Sequence, residues 1–247
     1  MTDTLFDLTG KVALVTGGSR GLGLQIVRAF AARGADIIIA SRKLDACEAA
    51  AGEVRALGRR ALAISANASH WDAVDRLADD SYAAFGKVDI LVNNAGMSPA
   101  IPSHDISEAL FDKIVSLNFK GPFRLAANIG KRMFDADGGV IINMSSSGAL
   151  MPLPTVVPYS GAKAALNAMT VSLAREYGPK VRVNAISAGP FLTDIARAWT
   201  DEARENAANS MQRPGRPEEI VSTALYLASP ASSFVTGAIM RCDGGLN

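Results

Sequence analysis

The stretch VALVTGGSRGLG, residues 12–23, decides the fold of this chain. Its first five residues form an apolar run of the kind that makes a buried strand, and a glycine-rich segment follows. An amphipathic pattern then continues to the helix-stop signal at Gly34, and a second apolar run covers residues 35–40. Strand, glycine-rich turn, helix and strand together predict a β-α-β unit.

The same alternation continues along the rest of the chain. Apolar runs predict further strands at 60–65, 88–92, 140–144, 181–187 and 237–242, and helical periodicity predicts helices at 44–57, 71–85, 107–114, 119–134, 159–177 and 218–228. A polar segment at 193–211 is also compatible with a helix. Alternating strands and helices pack as a parallel sheet covered on both faces. We therefore expect one α/β domain over residues 1–247, a doubly wound Rossmann-type fold with about seven parallel strands.

Composition and charge exclude several function classes. The chain is 49% hydrophobic with a net charge of +1 and scattered basic residues, which argues against nucleic-acid binding or a basic membrane anchor. No apolar run reaches about 18 residues and no signal peptide is recognisable, so we expect a cytoplasmic protein without membrane spans. Cys47, Cys242, His70 and His104 lack the spacing of metal ligands, so no metal site is expected.

Unusual residues follow the carboxyl ends of the strands, where parallel sheets bind their ligands. The glycine-rich turn would let the backbone approach a pyrophosphate at a helix N-terminus, although such turns also occur without nucleotides. The second strand leads into Ser41 and Arg42 with no acid at 40–42, where an NAD site usually places a carboxylate for the ribose. Arg42 and Arg20 could instead bracket the 2′-phosphate of NADP(H).

Tyr159 and Lys163 are four residues apart in a predicted helix and therefore share one face. A phenol titrates near pH 10, and an ammonium group one turn away lowers the pKa of that phenol. The pair could then move a proton near neutral pH. Tyr and Lys also occur by chance at this spacing, so the pattern alone does not establish a site.

Several motifs together resemble those of the short-chain dehydrogenase/reductase family, over essentially the whole chain. The matching residues are Thr-Gly-x-x-x-Gly-x-Gly at 16–23, Asn-Asn-Ala-Gly at 93–96, Asn118, Ser146 and Tyr-x-x-x-Lys at 159–163. The resemblance fits 3-oxoacyl-carrier-protein reductases and sugar-acid dehydrogenases alike. It implies an oxidoreductase that interconverts a carbonyl and a secondary alcohol by hydride transfer, with NADP(H) preferred and NAD(H) possible.

The resemblance also implies roles for individual residues. Tyr159 would donate the proton to the substrate oxygen, Lys163 would lower the pKa of that tyrosine and hold the nicotinamide ribose, Ser146 would polarise the oxygen, and Asn118 would hold a water. Ser145 and Ser147 flank Ser146, which is selected by lying thirteen residues before Tyr159. The implied cofactor contacts, besides Tyr159 and Lys163, are Gly17, Ser19, Arg20, Gly21, Leu22, Gly23, Ser41, Arg42, Asn67, Ala68, Asn94, Ala95, Gly96, Gly189, Pro190 and Thr193.

The chain departs from the family pattern at three positions. Asn67 stands where an Asp often faces the adenine, Ala188 replaces a proline before Gly189, and Ile195 stands where Met is common. These differences bear on the adenine contact and on the loop around the nicotinamide.

Substrate, assembly and reaction type leave alternatives open. An NAD-dependent alcohol or sugar-acid dehydrogenase, a non-catalytic nucleotide-binding regulator, and a dehydratase or epimerase on the same scaffold are the alternatives. The segment 162–173 has apolar or small residues on nearly all sides, so its helix should be buried on more than its sheet face. Members of the family that the chain resembles commonly pair this helix across a two-fold interface, and we therefore predict a homotetramer. Six apolar residues could form the walls of a pocket for a small-molecule substrate: Leu150, Met151, Leu153, Phe191, Ile195 and Trp199. The alternative is that they serve ordinary packing of the loops.

Overall fold

A parallel sheet of seven strands forms the centre of the computed structural model, which describes residues 4–194, 196 and 199–246. The strands are β1 (Val12–Thr16), β2 (Asp36–Ser41), β3 (Ala61–Ser65), β4 (Ile90–Asn93), β5 (Gly139–Ser146), β6 (Val181–Ala188) and β7 (Ile239–Cys242). Their order is β3-β2-β1-β4-β5-β6-β7. This order confirms the predicted doubly wound α/β fold. It reverses between β1 and β4, so a ligand cleft opens outside the carboxyl ends of these two strands.

Helices cover both faces of the sheet. They are α1 (Gly21–Ala32), α2 (Leu44–Ala56), α3 (Trp71–Phe85), α4 (Glu108–Val115), α5 (Gly121–Asp135), α6 (Val157–Glu176), α7 (Asp201–Glu205) and α8 (Val221–Ala228). Phe30 and Leu227 belong to the core formed by α1, α2 and α8, and Leu77 and Leu166 to the core under α3, α5 and α6. Burying one such side chain contributes about 1.5–3 kcal/mol. None of the described helices is long and apolar enough to cross a bilayer.

Several strand ends differ from the sequence prediction by one or two residues, and two of these differences have a clear structural reason. The strand predicted at 140–144 continues to Ser146, because its ladder with β6 pairs Ser145 with Ser187 and Ser146 with Ala188. The strand predicted from residue 237 begins at Ile239 instead, because Gly237 has φ of +73°, in the left-handed region that strands do not use. The first difference matters for function, since it places Ser146 on the sheet rather than on a loop.

The helices predicted at 107–114 and 119–134 are joined by a wide π-type turn, Ser116–Lys120. Asn118 lies in this turn and is fully buried. Its Nδ2 atom donates to the carbonyl of Ile114 at 2.9 Å, so the side chain inserts into the hydrogen-bond ladder of the helix. Single π turns are frequent at functional sites.

The segment predicted as a possible helix at 193–211 is mostly not helical. Within its described residues the α-helix is limited to α7. Beyond α7, the backbone N–H of Ser210 donates to Gly245 at 3.1 Å and that of Met211 to Gly244 at 3.0 Å. These bonds to the turn after β7 occupy donors that a continuing helix would need. The comparison made for Ile195 falls outside the described residues.

Candidate active site

The glycine-rich turn between β1 and α1 has a backbone that fits a pyrophosphate. Gly17 has φ of +65°, and a Cβ atom at Gly23 would lie 2.4 Å from both Asn94 Nδ2 and the Gly17 carbonyl. No side chain caps the N-terminus of α1, and no acidic residue lies in its first turn. Because unpaired N–H groups and the helix dipole attract anions there, the residues present fit the diphosphate of a dinucleotide.

Asn94 fastens this turn to the end of β4. Its Nδ2 atom donates to the carbonyls of Thr16, at 2.9 Å, and Gly17, at 3.1 Å. The backbone N–H groups of Asn94 and Ala95 donate to Thr16 Oγ1 at 3.0 and 3.2 Å. Asn94 and Ala95, which the sequence predicted as cofactor contacts, thus also build the wall of the cleft. Thr16 opens the glycine-rich motif in the sequence, but its role in holding this turn to the end of β4 was not predicted.

Arg20 and Arg42, which the sequence predicts to bracket a 2′-phosphate, lie next to Ser19 and Ser41, and the bracket stays a prediction. Ser19 Oγ donates to Ser41 Oγ at 2.9 Å, which joins the glycine-rich turn to the end of β2. Arg42 follows as an exposed residue, and its guanidinium forms no ion pair within the part of the chain that the structure describes. Arg20 instead donates to Asp194 Oδ2 at 3.1 Å, on the loop after β6. The choice of this partner, 174 residues away, cannot be read from local sequence.

Asn67 closes the turn that leads into α3. Its Oδ1 atom accepts from the backbone N–H and the hydroxyl of Ser69, at 3.2 and 2.8 Å. Its Nδ2 atom lies 3.3 Å from His70 Nε2. The next residue, Ala68, places its carbonyl against Gly121 at the start of α5. Because the carboxamide oxygen is already engaged, an adenine contact from Asn67 would come from its amide nitrogen.

Ser146 and Tyr159 meet at the carboxyl end of β5. Tyr159 lies in the first turn of α6, where Pro158 suits the start of the helix. Ser146 Oγ accepts from the backbone N–H of Gly148 at 3.1 Å. A Cβ atom at Gly148 would lie 3.5 Å from Ser146 Oγ and 3.8 Å from Tyr159 Cε1. The structure therefore brings together the two residues that the sequence placed on the substrate oxygen.

Lys163 and Asn118 lie beside this pair. The Lys163 Nζ atom donates to the Met144 carbonyl at 2.7 Å and lies 5.7 Å from the centroid of the Tyr159 ring. A Cβ atom at Gly96 would lie 2.8 Å from Asn118 Oδ1 and 3.6 Å from Lys163 Nζ. Gly96 therefore lies next to both side chains, and a residue with a side chain would not fit at this position. All four residues predicted to be catalytic are thus in one place.

Burial governs the proton affinities at this site. It raises the pKa of Tyr159 above its usual value, and the hydrogen bond with Ser146 opposes that rise. Burial lowers the pKa of Lys163 to about 8. The predicted fall in the Tyr159 pKa is therefore reversed in the structure, because the low-dielectric surroundings penalise the phenolate. Tyr159 consequently carries its proton at neutral pH, while Lys163 is still mostly cationic.

A buried polar network supports the helix that carries Tyr159. Asn93 Nδ2 donates to Asn143 Oδ1, and Asn143 Nδ2 donates to Thr170 Oγ1, each at 2.9 Å. Thr170 Oγ1 donates in turn to the carbonyl of Leu166 at 2.8 Å. The network joins β4 and β5 to α6, and such fully bonded networks favour one arrangement of the core. The sequence analysis missed it, although Asn143 interrupts the apolar run 140–144.

The loop after β6 forms the opposite wall of the cleft. Its Gly189 donates a backbone hydrogen bond to Cys242 at 3.0 Å, and the Pro190 carbonyl accepts from the Gly215 backbone at 2.8 Å. A Cβ atom at Gly21 would lie 3.6 Å from the Thr193 side chain, so Thr193 faces the glycine-rich turn. Phe191 is only 6% exposed and packs on Gly215. Its ring fills the base of this loop, which favours the loop-packing alternative for Phe191.

Comparison with known proteins covers nearly the whole chain. A family model described as Enoyl-(Acyl carrier protein) reductase matches residues 17–247. An NAD-dependent glycerol dehydrogenase of Listeria innocua serovar 6a is 34% identical, over 98% of this chain and 96% of the relative. A solved 7 alpha-hydroxysteroid dehydrogenase, complexed with NADH and 7-oxo glycochenodeoxycholic acid, is 33% identical with a TM-score of 0.94, over 99% of this chain and 97% of that one. A blue fluorescent protein from a metagenomic library, in complex with NADPH, is 36% identical with a TM-score of 0.91, over 97% and 98% of the two chains.

Proposed function

The chain belongs to the short-chain dehydrogenase/reductase family, and we propose that this oxidoreductase of CH–OH groups prefers NADP(H) and uses Tyr159 as its acid and base. The observation that carries the proposal is that Ser146 and Tyr159 both lie beside Gly148, with Lys163 Nζ 5.7 Å from the centroid of the Tyr159 ring. Ser146 ends β5 at the same carboxyl edge of the sheet as the glycine-rich turn after β1, and α6 brings Tyr159 and Lys163 to this edge.

The side chains divide the work of carbonyl reduction. A bound nicotinamide supplies the hydride. Tyr159 donates its proton to the carbonyl oxygen, and Ser146 donates a hydrogen bond to the same oxygen, where negative charge develops. The Lys163 ammonium, within reach of the Tyr159 ring, stabilises the phenolate that remains. In the oxidative direction the phenolate takes the proton from the alcohol.

Asn118 positions the route by which Tyr159 regains a proton. Its side chain bonds the Met97 carbonyl at 2.9 Å and lies against Gly96, on whose other side is Lys163 Nζ. In this proposal a water held by Asn118 connects Lys163 to the bulk solvent. The π turn supports this role of Asn118. It places the buried side-chain amide of Asn118 where a regular helix would have only its backbone hydrogen bonds.

One experiment separates the proposed activity from the alternatives. NADPH fluorescence is titrated with the purified protein, and a panel of carbonyl compounds is then screened for cofactor consumption. We expect binding and turnover. Binding without turnover of any carbonyl would favour a nucleotide-binding regulator, and transient oxidation without net consumption would favour a dehydratase or epimerase.

Arg42→Ala is expected to weaken the catalytic efficiency with NADP(H) by about 10- to 150-fold, because a hydrogen bond to a charged group contributes about 1.5–3 kcal/mol. Efficiency with NAD(H) should change little, because that cofactor lacks the 2′-phosphate. Arg33→Ala is the matched control, since Arg33 is an exposed arginine at the C-terminal end of α1, the end opposite to the glycine-rich turn. A parent enzyme that prefers NAD(H), or an equal loss with both cofactors, would contradict the preference.

Arg20 contributes to the same preference for NADP(H), although Asp194 competes with the 2′-phosphate for its guanidinium. Its ion pair with Asp194 joins side chains that are 68% and 34% exposed, and such pairs contribute only about 0.2–1 kcal/mol. A 2′-phosphate can therefore recruit Arg20 from Asp194 at small cost.

We also propose a homotetramer in the cytoplasm, built partly on the outer face of α6. The exposed residues Gly161, Ala164, Ala168 and Ser172 recur on that face at helical spacing and are small enough for a second helix to approach. Free thiols at Cys47 and Cys242 accord with a reducing compartment. Light scattering should give four times the chain mass, and Ala168→Arg should reduce it; a monomer mass at micromolar concentration would refute the proposal.

A further inference from the structure

Two loops flank Tyr159 on the substrate side. One joins β4 to α4 and the other joins β5 to α6. They are tied together by the backbone N–H of Ile101, which donates to the Thr155 carbonyl at 2.8 Å. The first loop also accepts a hydrogen bond from Asn118 at the Met97 carbonyl, and the second contains Gly148, where a Cβ atom would lie 3.8 Å from Tyr159 Cε1. A substrate whose oxygen reaches Tyr159 would therefore lie close to these loops.

The parts of these loops that follow the strands contain no charged side chain, and Asp105 comes only near the start of α4. Residues 93–103 and 139–162 contain no Asp, Glu, Lys, Arg or His. The same holds for residues 189–193, after β6. Binding a carboxylate or phosphate without a cationic partner carries a large desolvation cost, and proteins usually meet such groups with Arg or Lys. The walls nearest Tyr159 are thus unsuited to an anionic group close to the reacting carbon.

Large apolar side chains are exposed on the same loops. Leu150 is 49% exposed, Met151 36% and Leu153 60%, all on the loop between β5 and α6. Leu192, on the loop after β6, is 38% exposed. Exposed apolar residues grouped on loops around a catalytic group are typical of a binding site for an apolar ligand.

From this combination we infer that the substrate is an uncharged, largely apolar ketone or secondary alcohol, bound against Leu150, Met151 and Leu153. The inference rests on the proposed function, because it takes Tyr159 as the group that meets the substrate oxygen. It separates such compounds from sugar acids and from compounds with a phosphate near the carbonyl. Burying each added methylene of the substrate should raise kcat/KM by about fourfold until the apolar surface is filled.

The test uses two substrate series with the purified enzyme and its better cofactor. In the series 2-butanone, 2-hexanone and 2-octanone, kcat/KM should rise with chain length. For ethyl 3-oxohexanoate and free 3-oxohexanoate at pH 7, the ester should be favoured by about 100-fold or more, because residues 93–103, 139–162 and 189–193 offer the carboxylate no cationic partner. Leu153→Ser should flatten the rise along the ketone series. Leu57→Ser is the matched control, because this leucine is 53% exposed at the end of α2, away from the site.

The outcomes distinguish the inference from the function beneath it. An acid reduced as well as its ester, or no rise along the ketone series, overturns the apolar substrate class and leaves the carbonyl reductase intact. A rise that Leu57→Ser flattens as much as Leu153→Ser overturns the placement of the substrate. Cofactor binding without turnover of any member of either series overturns the proposed function itself.

Discussion

Tyr159→Phe is expected to fold and to bind the cofactor normally while losing turnover by about 10²–10⁴-fold. The ring and its packing remain, but the proton donor is removed. Because burial keeps the pKa of Tyr159 above its usual value, the lost group is a protonated phenol at neutral pH, the form that carbonyl reduction needs. Steady-state kinetics in the reductive direction and a cofactor titration measure the two expectations.

A second tyrosine provides the control. Tyr177 is buried at the end of α6, and its hydroxyl donates to the Ala127 carbonyl at 3.3 Å. Tyr177→Phe removes a partly buried phenol hydroxyl from the same helix and should leave kcat close to that of the parent. Near-normal turnover by a pure sample of Tyr159→Phe would overturn the assignment of the proton donor.

Lys163→Met is expected to lose turnover on a similar scale, about 10²–10⁴-fold, while keeping the stability of the fold. The lowered pKa of Lys163, about 8, means that burying its charge costs roughly 3 kcal/mol at neutral pH. Nζ donates to the Met144 carbonyl at 2.7 Å. Methionine keeps a similar volume and has no charge to bury, so it should change the free energy of unfolding little. Lys113→Met, in the exposed part of α4, is the control for activity.

The pH dependence of stability gives an independent readout for Lys163. Its folded pKa of about 8 lies below the unfolded value of about 10.4, so the unfolded chain binds more protons between these pH values. Stability from this group is therefore gained as pH rises from about 8 to 10.4 and is lost as pH falls through 8. Denaturant unfolding at pH 7 and pH 10 should show the parent gaining stability relative to Lys163→Met. No change in that difference would show that Lys163 is not buried as a cation.

Most of the fold follows from signals that are local in the sequence. The apolar runs predicted the strands, and the glycine-rich turn after Thr16 predicted where the cleft lies, because the backbone of Gly17 and Gly23 leaves no space for a side chain. The spacing of Tyr159 and Lys163 likewise predicted a shared helix face. Each feature depends on residues within a few positions of one another, which is the range that propensity and periodicity describe.

The tertiary structure decided what depends on distant partners. Arg20 forms an ion pair with Asp194, Phe191 packs against Gly215, and the Asn93 amide donates to that of Asn143. The direction in which the pKa of Tyr159 is shifted also depends on distant parts of the chain. A spacing of four residues predicted a lower pKa, but the desolvation that raises it is a sum over every element packed around the ring. Sequence by itself therefore determined which groups can do chemistry in this protein, whereas their protonation and partners were set by burial, which only the assembled fold defines.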